Sequence, residues 1–289
     1  MIEHKSRQNK KRKCLKIDNL HKKNRIELTL PLLLNNFITH IISQMKRGVL
    51  VTGAAKGIGY QIAKQFASQN CHVIALDKHF PSDNLNELNS IPNITTLEYD
   101  LRKRTSQDFQ DLASIYQIHT LINNAGTLHC PSPNGLAEGK GLGFSIEQIE
   151  DILDTNLKAP VGLIEAFAPQ MIARKEGRIV NVGSVSAFTG HPDLWYGASK
   201  SGILNITKTF ASLLGKHQIV VNAVAPGPTK TDMYDSLPQS RKDMVERTVN
   251  SGRPAEASEV AESVLWLGLN SPLYVNGSTL DVNDSSYPR

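Results

Sequence analysis

The sequence is poor in cysteine. Cys14, Cys71 and Cys130 are the only three in 289 residues, an odd number with no paired or metal-type spacing. That pattern excludes a disulfide framework and a cysteine-based metal site, and it suits a reducing cytoplasm as the expected location. A long apolar run is lacking too. Residues 26–42 are moderately apolar but are broken by Pro31, Asn35, Asn36 and His40, whereas a membrane-spanning helix needs about 20 nearly continuous apolar residues. No small-residue cleavage site follows them, Ser43 and Gln44 standing there instead, so a secretory signal is not expected. Most of the chain also lacks surplus charge. Residues 1–44 hold ten Lys/Arg against three Asp/Glu, a net +7 that leaves −2 for the remainder of a +5 total. The basic character belongs to this extension, which reads as a disordered tail ahead of a domain starting at Met45. The near-neutral remainder gives no reason to invoke nucleic acid or a membrane as partner.

The chain is organised around a glycine turn. Val49, Leu50 and Val51 form a short apolar strand ending at Thr52, glycines stand at positions 53, 57 and 59, and Ile62, Phe66 and Ala67 continue with helical spacing. A dinucleotide fits such a turn. Gly53 allows the tight bend, Gly57 lets the backbone approach a phosphate, and Gly59 lets the helix pack close to the strand. Lys56 and Ile58 lie between the glycines, and the helix start offers its N–H groups to the anion. The same glycines would serve a ligand-free turn, but the flanking strand and helix favour a cofactor.

A second apolar strand, Cys71 to Asp77, ends in a carboxylate 24 residues beyond Gly53. An acid there can accept both ribose hydroxyls and would repel a 2′-phosphate, so Asp77 argues for NAD over NADP. Lys56 and Lys78 pull toward NADP. Further strands are expected at 94–99, closed by Asp100 and Leu101 with Asp100 capping or touching adenine, at 120–123, 177–182, 218–224 and 277–282. Helices are expected over 105–116, after Ser145 with Gln148 as its capping-box partner, from Trp195 to about Gly215, and over 257–269. Asn123, Asn124, Ala125 and Gly126 end one strand with residues that suit a ligand crevice. Pro81 to Pro92 reads as a polar connection with at most one helical turn. Residues 127–144 read as a long glycine- and proline-rich loop, and residues 232–254 as polar and mobile. Asn156 interrupts an apolar helix face and needs a reason. Tyr196 and Lys200, four apart, share a helical face. Seven strands alternating with helices imply an α/β, Rossmann-like, doubly wound parallel sheet in one domain over residues 45–289.

Taken together, the 52–59 glycine turn, Asn123 to Gly126, Asn156, Ser184, the Tyr196/Lys200 pair, and Pro226-Gly227 with Thr231 resemble the classical short-chain dehydrogenases/reductases over residues 46–284. Ser184 lies 12 residues before Tyr196, one fewer than that family's usual spacing, so Ser186 remains a lesser candidate for its role. The resemblance implies an oxidoreductase that moves hydride between NAD(H) and a secondary alcohol or ketone. Tyr196 would be the general acid/base and Lys200 the cation that lowers its pKa and binds the nicotinamide ribose. Ser184 would orient the substrate oxygen, and Asn156 would hold a relay water. It also implies that Asn123, Ala125 and Gly126 line the cofactor, that Pro226, Gly227 and Thr231 meet its nicotinamide end, and that the chain forms a homotetramer or homodimer. An NADPH-dependent 3-oxoacyl-thioester reductase is the alternative, and a non-catalytic dinucleotide sensor a second. No metal is expected.

Overall fold

Side-chain alternation along the strands decides the architecture. In β1, Gly48–Thr52, Val49 and Val51 join one buried cluster and Leu50 joins another. The same division recurs in β2, His72–Asp77, where Val73 and Ala75 oppose Ile74 and Leu76. It recurs again in β4, Thr120–Asn123, with Ile122 against Leu121, and in β5, Gly177–Val182, with Val180 against Ile179. Strands apolar on both faces need cover on both faces, which crossover helices between parallel strands supply.

With β3, Ile94–Glu98, β6, Ile219–Pro226, and β9, Thr279–Val282, these strands form a fully parallel seven-stranded sheet in the order β3-β2-β1-β4-β5-β6-β9. The order reverses between β1 and β4, and the crevice at the carboxyl ends of that pair is where such sheets take ligands. One face is covered by α1, Gly57–Ser68, α2, Ser82–Ser90, and α9, Ala257–Leu265, through Ile62, Phe66, Leu88 and Val264. The other is covered by α3, Ser106–Ile115, α5, Ala159–Arg174, and α6, Leu194–Leu214, through Phe109, Leu163, Phe167 and Leu214. This computed structural model describes residues 47–129, 136–139 and 141–287, so the basic extension, Cys14, Cys130 and part of the 127–144 loop lie outside the described residues. Among the described residues no helix is long and apolar enough to cross a membrane.

Two expectations need correction, and a third gains its reason. The polar connection after Asp77 contains the nine-residue helix α2, which begins directly after Pro81 and buries only Leu88, so it carries almost no apolar periodicity. The 232–254 segment holds two helices, α7, Asp232–Asp235, and α8, Gln239–Thr248. A small ladder between β7, Thr229–Lys230, and β8, Ala255–Glu256, closes the segment at both ends. Finally, the helix that Asn156 interrupts is α4, Ile146–Leu153, which passes through a π-helical turn at Asp154–Lys158 into α5. Such turns are uncommon and concentrate at functional sites. Ser145 and Gln148 do form the expected capping box.

Helix α1 approaches the turn after β1 so closely that a Cβ on Gly59 would strike the Gly53 carbonyl oxygen and the Asn124 amide. Gly59→Ala should therefore destabilise the protein by at least about 2 kcal/mol in chemical denaturation. Gly190→Ala, where nothing stands within 4 Å, should be near neutral.

Candidate active site

Gly53 and Gly57 take left-handed backbone conformations, φ +67° and +58°, which glycine adopts without strain. A Cβ on Gly53 would stand 2.7 Å from Ala125 Cα, and one on Gly57 3.1 Å from the Thr231 methyl. The turn is held by Asn124, whose side-chain amide donates to the carbonyls of Thr52 (2.9 Å) and Gly53 (3.0 Å). In return the Thr52 hydroxyl accepts the N–H groups of Asn124 (3.0 Å) and Ala125 (3.1 Å). The β1 and β4 ends are thereby locked in register at the switch point. Helix α1 starts with no side-chain cap and no acid in its first turn, leaving its N–H groups open to an anion. The close-packed glycines and this uncapped end fit a dinucleotide pyrophosphate.

Around this cradle the predicted cofactor residues take different parts. Asp77 accepts the Ala55 N–H at 3.0 Å on one oxygen and the Lys78 N–H at 2.7 Å on the other, so it braces the turn. Lys56 is exposed and ion-paired with Asp232 at 2.8 Å. Ile58 packs against the core and Leu101 is buried. Asp100 caps the short turn after β3 and grips Arg102 in a two-pronged pair (2.9 and 2.7 Å), which holds its carboxyl down at about 2. Asn123 points its amide at Asn181 (2.8 Å), which continues to Thr207 on α6 (2.9 Å). That buried chain ties β4, β5 and α6 together. The Gly227 N–H donates to Val282 (2.9 Å), fixing the turn after Pro226 to β9, and Thr231 caps α7.

The catalytic candidates converge beside it. Ser184, at the end of β5, is 8% exposed. Its hydroxyl donates to that of Ser186 (3.1 Å), and it stands near enough to the Tyr196 phenol to lower that group's pKa. Ser186 is thus adjacent, while Ser184 makes the contact. Burial pushes the Tyr196 phenol up, the Ser184 hydroxyl pulls it down, and Asp193 pushes it up further, for a net rise. The Lys200 ammonium sits 2.8 Å from the Val182 carbonyl oxygen and 5.7 Å from the Tyr196 ring centroid. It shares the predicted helical face with Tyr196 but is anchored on β5, and burial brings it down to about 8. The expectation that Lys200 lowers the phenol therefore meets a phenol held above its usual value. Asn156 is held through both ends of its side chain. Its oxygen accepts the Thr127 N–H (2.8 Å), and its amide donates to the Thr127 carbonyl (2.9 Å) and to Ser199 (3.0 Å). Gly126 fits between them, a Cβ there standing 3.4 Å from the Lys200 ammonium and 3.6 Å from the Asn156 oxygen.

Several residues that shape this site were not singled out from the sequence. Asp193, 2% exposed, caps α6 by accepting the Tyr196 N–H (2.9 Å) and also accepts the His129 N–H (2.8 Å). The His129 ring meets Asp151 (2.8 Å), which pairs with Arg102 (2.7 Å). An unbroken polar chain so connects Asp100, beside the cofactor cradle, to the first turn of the Tyr196 helix. An Asp three residues before a helical Tyr is a capping signal that could have revealed Asp193. His191 packs its ring 5.2 Å from that of Tyr196, and Tyr287 from the polar tail stacks on Phe188 at 6.0 Å.

The short chain dehydrogenase family model matches residues 47–242. The 3-oxoacyl-[acyl-carrier-protein] reductase FabG of Haemophilus influenzae is 32% identical over 249 residues, covering 82% of this chain and 97% of that protein. The protein of the same name from Staphylococcus epidermidis is 29% identical over 261 residues, covering 84% and 100%. Among solved structures, a candidate 2-deoxy-d-gluconate 3-dehydrogenase from Agrobacterium tumefaciens with bound NADP superposes with a TM-score of 0.74 at 27% identity, over 84% of this chain and 97% of that one.

The Lys200 environment sets a pH signature. Its folded value of about 8 lies below the unfolded value of 10.5. Between those two the unfolded chain binds more protons, so stability should rise with pH across that window. In the cofactor-free protein, the unfolding free energy of wild type minus that of Lys200→Met should climb from pH 8 to 10.5. A flat difference would mean that the ammonium is not desolvated.

Proposed function

The chain belongs to the short-chain dehydrogenase family, and on that premise we propose that it reduces a ketone, or oxidises the matching secondary alcohol, with Ser184, Tyr196, Lys200 and Asn156 as its working set. It is an NAD(P)-dependent oxidoreductase acting on CH–OH or keto groups. The observation that carries the finer reading is the Ser184–Tyr196 hydroxyl pair at the carboxyl end of β5, with the Lys200 ammonium and Asn156 behind it. When bound, the dinucleotide supplies or takes the hydride, and a proton must move on the substrate oxygen at the same time.

Ser184 and Tyr196 offer two hydroxyls to that oxygen. A phenol held above its usual value by burial and by Asp193 is protonated throughout the neutral range, the state required of a proton donor to a carbonyl. In the reverse direction Lys200 is the nearby cation that favours a phenolate. Asn156, clamped to Thr127 and Ser199, keeps Gly126 and the Lys200 ammonium in register.

For the cofactor, NADP(H) is the reading we favour over the NAD expected from Asp77. Both Asp77 oxygens already accept backbone N–H groups, and Lys56 stands in the turn with only an exposed ion pair to Asp232 to give up. Exposed pairs of this kind are worth about 0–1 kcal/mol. The Agrobacterium tumefaciens neighbour holding NADP supports the same reading. A second reading of the substrate, a 3-oxoacyl thioester, is favoured by the names of the Haemophilus and Staphylococcus relatives. We also propose a homotetramer or homodimer, supported by the groove where Leu157 of the π-helical turn, Val161 of α5 and Ile206 of α6 lie together, bordered by Arg104, Lys158 and Glu165. Sedimentation as a monomer would contradict it.

Tyr196→Phe should leave dinucleotide binding unchanged while turnover on a panel of 3-oxoacyl thioesters and cyclic ketones falls at least about a hundredfold, the scale of a lost acid/base. Unaltered turnover would contradict the mechanism.

A further inference from the structure

At the amino ends of β1, β4 and β5, a cavity of about 420 Å³ is bordered by Arg47, His119, Arg174, Lys175, Glu176 and Arg178. This is the end of the sheet opposite the cradle. The six residues of β5 separate the two by roughly 17–20 Å at about 3.3 Å per residue. Among the described residues four permanent cations here face one carboxylate, and Glu176 is already paired with Arg47 at 3.1 Å.

The guanidinium groups are fixed in place but not used up. Arg178 donates to the Leu267 carbonyl (3.2 Å) and to Ser271 (2.8 and 2.7 Å), while Arg174 donates to Gln170 (3.1 Å) and Ile118 (2.5 Å). The Arg174 Nε is buried with no partner among the described residues. The cations also disfavour one another. Arg178 is held down by burial and then by Arg47, and His119 by burial and then by Arg174. The His119 Nδ1 accepts the Gly48 N–H (3.1 Å), which leaves the proton of the neutral ring on Nε2 as a further donor. The carboxyl end of α5 gives Arg174 and Lys175 a helix-dipole role, but Arg47 and Arg178 stand at strand starts and have none. Residues 1–44, with ten Lys/Arg against three Asp/Glu, bring no surplus of acid.

We propose that this cavity is a binding site for a small oxyanion, a phosphoryl group, held by Arg47, Lys175 and the remaining donors of Arg174 and Arg178. Planar guanidinium forks match phosphate oxygens, and a dianion supplies the negative charge that the lining lacks. The site is independent of the catalytic reading, because none of its residues reaches the cleft.

Isothermal titration of the full chain with pyrophosphate and with inorganic phosphate, against chloride at equal ionic strength, tests it. Wild type should bind pyrophosphate more tightly than phosphate. The Arg47→Ala/Lys175→Ala double variant should raise the Kd at least about tenfold, the loss of one good charged contact, while dinucleotide titration stays unchanged. Lys175→Gly serves as the second variant, since Lys175 has φ +54° and glycine relieves that backbone while removing the cation. It too should weaken binding. No response beyond the chloride control overturns the proposal. So does equal binding in wild type and both variants, which would place the anion elsewhere, such as at the glycine turn.

Discussion

The contact that the rest of this molecule depends on is the one between Gly59, Gly53 and Asn124. Helix α1 reaches its depth against the sheet only because Gly59 has no Cβ to strike the Gly53 carbonyl or the Asn124 amide. That same amide stitches the end of β1 to the end of β4 through Thr52 and Gly53. The result is a rigid shelf at the point where strand order reverses, with an uncapped helix start above it. Parallel strands with both faces buried make that shelf, since their crossovers leave one crevice at the carboxyl ends.

The catalytic side is tied to the shelf by buried polar chains. Asn123, Asn181 and Thr207 connect β4 and β5 to α6. Asn156, Ser199 and the Tyr196 carbonyl connect the π-helical turn to the same helix (3.0 and 2.8 Å). Asp193 fixes the first turn of α6 and reaches through His129 and Asp151 to Arg102 and Asp100. Buried polar groups cost several kcal/mol when unmatched, so these bonds favour one arrangement of the site, although the Asn123 Oδ1 is buried with no partner among the described residues. They place Tyr196, Ser184 and Lys200 on two different elements at one end of the sheet without relying on a flexible loop.

Much of this was legible in the sequence because the relevant signals are local. The glycine turn, the apolar strands and the Tyr196/Lys200 spacing each lie within a few residues, and the seven-stranded doubly wound sheet follows from their alternation. What escaped was non-local or weakly patterned. Helix α2 buries one leucine, and α8 shows no apolar stripe, so tertiary contacts rather than periodicity fix them. Asn124 was legible as part of the strand end, but its bond to Gly53 was not, and Asp193 was a plain polar letter until the fold brought His129 to it. Asp77 was placed correctly at a strand end, but its partners Ala55 and Lys78 could not be read from its position alone.

The most direct test is titration of the full chain with NADPH and, separately, NADH, following the fluorescence of the bound nicotinamide. The account predicts saturable binding of both with NADPH the tighter, because Lys56 can leave Asp232 for a 2′-phosphate while Asp77 remains on the turn backbone. Tighter binding of NADH would return Asp77 to the role of reading ribose hydroxyls and contradict the NADP(H) assignment. Binding of neither would contradict the cradle itself.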